Sequence, residues 1–96
     1  TLQDARKLIK RELTKFLKTR GIAYDRYVLV MKTLASGPRR WKEVKTLLEM
    51  ELRRSIPNNK ISRYLNELRR YGFITKEENY YKIPDPLVAK VILEEF

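Results

Sequence analysis

Residues 58–76 read NNKISRYLNELRRYGFITK, and the apolar spacing in this run changes character once, at Gly72. Before the glycine, Ile61, Leu65 and Leu68 recur at the three- and four-residue intervals of a helix. The spacing predicts a helix from Asn58 to Tyr71, with Asn58 as its cap after Pro57. At about 100° per residue, Asn59, Arg63, Asn66 and Arg70 fall opposite the apolar side. Ser62 lies at the edge of that polar face, and Glu67, the single acid, projects to the flank. After Gly72 the pattern turns aromatic and β-branched. Phe73–Lys76 and Tyr80–Ile83 are predicted as two short strands. Glu77-Glu78-Asn79 is a tight enough link for a hairpin, with Asn79 expected to take the left-handed conformation such turns need.

Upstream, Gly21, Gly37 and Gly72 each follow a stretch of helical periodicity and are expected to close it at positive φ. Pro38 stops any continuation through Gly37. The predicted helices run from Leu2 to Thr19, from Asp25 to Ser36 and from Trp41 to Leu52, and the connection Arg53–Pro57 leads back to the run above. Thr1 can cap the first of them, with Asp4 in its first turn. Downstream, Asp85-Pro86 reads as a cap followed by proline at the first helical position, opening a last helix with Leu87, Val88, Val91, Ile92 and Phe96 on its apolar side. Helix, helix, helix, hairpin is the winged helix-turn-helix plan. The expected fold class is mainly α with a small β-hairpin, carrying extra N-terminal and C-terminal helices. The expected organisation is a single domain over residues 1–96: a leading helix in 1–20, the winged-helix core in 24–83 and a C-terminal helix in 85–96.

Composition bounds the chemistry. A chain of 96 residues with 43% hydrophobic residues supports one compact core. It has no cysteine and no histidine, which excludes disulfides, thiolate metal sites and imidazole catalysis. No cofactor and no metal are expected, and a reducing, cytoplasmic setting fits. No apolar run approaches the roughly 20 residues that cross a bilayer, and no signal-peptide pattern occurs. Heavy charge with one Gln and no Cys suits a thermophile. The first residue is Thr1 rather than Met, as expected of a piece cut from a longer protein.

The net charge of +10 points to a polyanionic partner. Residues 1–72 hold 19 Lys and Arg against 7 Asp and Glu, whereas residues 73–96 hold 3 against 5. The cationic surface therefore belongs to the helices. On the face of residues 58–71, Arg matches guanine and Asn matches adenine, each through two hydrogen bonds in the major groove. An ordinary solvated face is the alternative, but it does not account for Asn and Arg gathering there without an acid. Lys60 adds charge in the first turn. Arg39, Arg40 and Lys42 form a second cluster at the start of a helix. There they oppose the helix dipole unless an anion arrives, and the free N–H groups of the helix end would help hold a phosphate. A solvated loop explains them equally well. Trp41 is expected to cover the core edge with its ring half exposed. Tyr64, Tyr71, Tyr80 and Tyr81 are expected at the core edge with wet hydroxyls. The basic face of the first helix suits solvent or a scaffold role beside a preceding domain better than DNA or an anionic membrane. Lys76 is the only cation beside the acidic hairpin tip, which a phosphate backbone would repel.

Residues 24–96 resemble the C-terminal winged-helix domain of archaeal P-loop ATPases of the STAND-like type. The resemblance rests on Met31-Lys32-Thr33-Leu34-Ala35-Ser36-Gly37, Arg40-Trp41-Lys42-Glu43-Val44, residues 61–68 (ISRYLNEL), Tyr71-Gly72-Phe73-Ile74 and the closing Tyr81-Lys82-Ile83-Pro84-Asp85-Pro86-Leu87. It implies an archaeal source and a module appended to an ATPase core. A Gly-rich phosphate loop ending in Gly-Lys-Ser/Thr is absent, so no nucleotide-binding residue carries over. In such a family the winged helix binds DNA or regulates the ATPase by packing on it.

The leading expectation is a module for double-stranded DNA, with residues 58–71 in the major groove and the set Arg39, Arg40, Lys42, Asn59, Lys60, Ser62, Arg63, Asn66, Arg70 and Lys76 as its contacts. The alternative is a protein-interaction or intramolecular regulatory domain of a larger ATPase, for which the acidic hairpin tip argues. No membrane partner and no enzymatic activity are expected. Pairing of two copies through the first or last helix stays open.

Overall fold

Thr1 Oγ1 accepts the Asp4 amide at 3.2 Å, and the Asp4 carboxylate accepts the Thr1 ammonium at 3.2 Å. This reciprocal cap opens helix α1 (Leu2–Lys18), as Thr1 and Asp4 predict. The computed structural model describes all 96 residues. A 3₁₀ turn (Gly21–Ala23) follows, then α2 (Tyr24–Ala35), strand β1 (Arg39–Arg40), α3 (Trp41–Leu52), α4 (Asn58–Arg70), β2 (Thr75–Glu77), β3 (Tyr80–Lys82) and α5 (Pro86–Glu95). This is a winged helix: five helices and a small antiparallel sheet. The three glycines sit at positive φ, as expected. At Gly72 (φ +82) the reason is visible, because Phe73 N–H donates to Leu68 O at 3.0 Å and Gly72 N–H to Arg69 O at 3.0 Å. That pair of bonds requires a left-handed residue between the helix and the strand. Asp85 Oδ1 accepts the Leu87 amide at 2.9 Å, with Pro86 in the first turn of α5.

Four local expectations change. Arg39 and Arg40 form strand β1, with Arg40 also capping the start of α3; Arg39 lies opposite Tyr81 and Arg40 opposite Tyr80, in the order β1-β3-β2. A two-residue strand carries no period, and its partner lies some 40 residues away, so local spacing gives no sign of it. Pro57 takes the cap position of α4, and Asn58 is its first residue, with its amide oxygen accepting the Lys45 ammonium. Glu78, at φ +55, rather than Asn79, takes the left-handed place in the turn between Glu77 and Tyr80. Tyr64 and Tyr81 are buried, whereas Tyr71 and Tyr80 are exposed as expected.

A glutamate side chain is strained in that conformation. Glu78→Gly removes the strain at the expense of a looser unfolded chain, for a net gain of about 0.5–1 kcal/mol. The melting temperature should rise by roughly 2–8 °C. A thermal scan showing no rise or a fall would contradict the turn geometry.

Nineteen residues form one buried hydrophobic core. α2 runs through it with Tyr27, Val28, Val30, Met31 and Leu34 inward, and α4 contributes Ile61, Tyr64, Leu65 and Leu68. Only the C-terminal half of α1 is buried, through Leu13, Phe16 and Leu17, and Leu2 is exposed. The N-terminal half packs Ile9 against the core and is joined to α5 by ion pairs. Arg6 meets Glu94 at 2.8 Å and Glu95 at 3.2 Å, and Lys10 meets Glu95 at 3.3 Å. Hydrogen bonds from Arg6 and then Lys10 hold the Glu95 carboxyl below the usual carboxylate range. Its contribution to stability is thus present above the ordinary range and is lost as pH falls through the lowered value.

Candidate nucleic-acid interface

The outward face of α4 depends on how firmly the helix is held. The turn before it is anchored by Ile56, which is buried and whose amide donates to Glu49 Oε2 at 2.7 Å. α3 ends with Arg53 in the left-handed conformation (φ 54), and the Arg54 amide donates to Glu49 O at 3.2 Å. On the α3 side, Trp41 Nε1–H donates to Ser62 Oγ at 3.1 Å. Trp41 is half-buried, as expected, and its indole ties the two helices together. On the α2 side, Arg26 donates to the buried Tyr64 hydroxyl at 3.0 Å, so that hydroxyl is engaged rather than wet. Arg20 approaches Glu67 at 3.9 Å, which places Glu67 on the flank, as its position in the helix predicts.

The side-chain hydrogen bonds and ion pairs of α4 thus run through Asn58, Ser62, Tyr64 and Glu67. Asn59, Lys60, Arg63, Asn66 and Arg70 are exposed and make none. They lie together on one helix, with Arg69 also exposed on the Ser62 flank. Ser62 stands apart from them. It is half-buried, and its oxygen accepts from Trp41 at the joint between α3 and α4, while its own O–H has no partner within the domain.

Arg39, Arg40 and Lys42 are brought together beside the start of α3, but Glu43 is among them. The Glu43 carboxylate accepts the Arg40 amide at 2.9 Å. One of the free N–H groups expected to hold an anion is therefore already satisfied, and a negative charge already sits at the helix start. Arg39 is half-buried, and Arg40 stacks over Tyr80 with its guanidinium 5.1 Å from the ring centre. On the hairpin, Lys76 is exposed, 5.4 Å from the Tyr81 ring. Its neighbour Glu77 pairs with Lys82 at 3.0 Å, so Lys82 rather than Lys76 balances half of the acidic tip.

Two cations that local spacing does not single out, Arg20 and Arg26, face Lys60 and Arg63 across a cleft between the 3₁₀ turn and α4. Arg20 follows a helix and Arg26 sits inside one, far in sequence from α4, so only the folded chain brings the four together. Burial pushes the nearby Tyr27 phenol up, against the opposing charge of Arg20. No three His, Cys, Asp or Glu side chains gather as a metal would require, and no helix is long and apolar enough to cross a membrane.

Comparison with known proteins agrees with this architecture. No curated protein sequence matches. Among solved structures, the Walker-type ATPase PABY2304 of Pyrococcus abyssi is 31% identical, with a TM-score of 0.76 over 96% of this chain. The matched region is 25% of that ATPase, so this chain spans about a quarter of its length. The resemblance to an archaeal P-loop ATPase is met by this neighbour. The model of the MCM protein C-terminal winged helix-turn-helix domain matches residues 21–84, from the 3₁₀ turn through β3, with α1 and α5 outside the match. On that match and the winged-helix architecture, the chain belongs to the family of MCM protein C-terminal winged helix-turn-helix domains.

Proposed function

We propose that the domain binds double-stranded DNA by laying α4 in the major groove. The observation that carries this reading is the outward face of α4, where two guanidiniums and two amides stand exposed and unpaired on a helix locked along both flanks. Side chains without internal partners break no bond within the domain when they turn to bases or phosphates, and a rigid helix presents them at little backbone entropy cost. Asn59, Arg63, Asn66 and Arg70 would read base edges or grip the adjoining phosphates, and Lys60 would add a phosphate contact. Lys42, Arg39, Arg40 and Lys76 are secondary contacts in this reading, since Glu43 and Glu77 lie beside them. The domain acts as a non-catalytic binding module.

A second reading has one observation in its favour. The similar solved structure is a Walker-type ATPase of which this chain matches a quarter. A module of that kind packing on a preceding ATPase domain would have a protein partner, and the α4 face would then meet acidic side chains. Titration of random duplex at several salt concentrations separates the two. With about five phosphates neutralised, log K should fall against log salt with a slope of about −4 to −5. Absence of binding at low ionic strength would favour the docking role.

A further inference from the structure

The cleft between the 3₁₀ turn and α4 has a volume of about 400 Å³ and is lined by Arg20, Arg26, Lys60 and Arg63, with no acidic side chain in its wall. We propose that it seats one backbone phosphodiester of the bound nucleic acid, at the edge of the groove that α4 enters. The inference rests on the duplex-binding reading and adds a site to it. Four like charges from three separate parts of the chain repel one another, and an anion between them relieves that repulsion.

Two of the four cations are fixed before any ligand arrives. The Arg20 guanidinium lies 4.0 Å from the Phe16 ring centre, 5.1 Å from Tyr71 and 5.5 Å from Tyr27, and its side chain is only 15% exposed. Glu67 pairs with it at 3.9 Å from outside the cleft wall and offsets part of its charge, which leaves Arg26, Lys60 and Arg63 as the cleft cations with no acidic partner. Arg26 is held by its bond to the Tyr64 hydroxyl, which occupies one of its five N–H donors and leaves the others. Planar guanidiniums held in place match the oxygens of a phosphate with little entropy to lose.

Position selects the phosphodiester over other anions. Arg63 belongs both to the cleft and to the polar face of α4, and Lys60 stands on the flank between them, so a strand lying along α4 passes over the cleft. Ile22 is fully exposed on the rim, an apolar post of the kind a deoxyribose packs against.

Arg26→Gln removes the charge and leaves a shorter, polar amide beside Tyr64. Against random duplex it should weaken binding by roughly tenfold and make the salt slope shallower by about one unit, equally on every sequence. Lys60→Gln, exposed and unpaired, should do the same without touching the core packing. If both variants bind with the parent's affinity and slope while Arg63→Ala with Arg70→Ala remains deficient, the cleft assignment is overturned and the α4 reading stands. If the parent itself binds no duplex, both fall. If Arg26→Gln loses binding to phosphatidylglycerol vesicles but not to duplex, the seat belongs to a lipid headgroup and the proposal is overturned.

Discussion

Replacing Arg63 and Arg70 together with alanine should weaken duplex binding by roughly a hundredfold and flatten the salt dependence by about two units. The size of the effect follows from the surroundings of the two side chains. Both are exposed and neither has a partner inside the domain, so the substitution removes contacts to the ligand and almost none within the fold. Alanine is the best helix former, and stability should stay within about 0.5 kcal/mol of the parent. A loss of affinity at an unchanged melting temperature would therefore report the interface directly. Binding indistinguishable from the parent would remove α4 from the groove and move the domain to the docking role.

Leu65→Ala should have the largest effect on folding. Leu65 is fully buried at the middle of the inward face of α4. Emptying that position costs about 2–5 kcal/mol in lost transfer energy and cavity. The whole fold is worth only about 5–15 kcal/mol, so the melting temperature should drop by roughly 10–30 °C. Leu93→Ala is a fair comparison, because Leu93 is exposed on α5 and should shift the melting temperature little. A small shift for Leu65→Ala, measured by circular dichroism during heating, would mean that α4 is not seated as described.

What the sequence revealed follows a physical pattern. The faces of α4 were legible because a 3.6-residue repeat sorts side chains without reference to anything outside the helix. The same holds for the Thr1-Asp4 and Asp85-Pro86 helix starts, whose capping bonds span only a few residues. Features that depend on a distant partner were not legible. β1 exists because β3 offers it an edge. Ser62 reads as a free hydroxyl at the edge of the polar face until Trp41, 21 positions away, is seen to donate to it. Tyr64 reads as an edge residue until Arg26 reaches its hydroxyl. The cleft of Arg20, Arg26, Lys60 and Arg63 draws on three parts of the chain and has no local signature. The left-handed residue at Glu78 rather than Asn79 is set by where Glu77 and Tyr80 pair, not by residue preference.

The two-residue strand β1 has a consequence for the behaviour of the native protein in concentrated solution. By occupying the free side of β3, it leaves the sheet with margins only two and three residues long, Arg39–Arg40 and Thr75–Glu77. Successive copies adding edge to edge would juxtapose arginine with arginine across one seam and find few backbone groups to bridge the other. Short, cationic margins of this kind disfavour fibre growth by templating on the folded molecule and leave unfolded chains as the easier start for cross-β stacking.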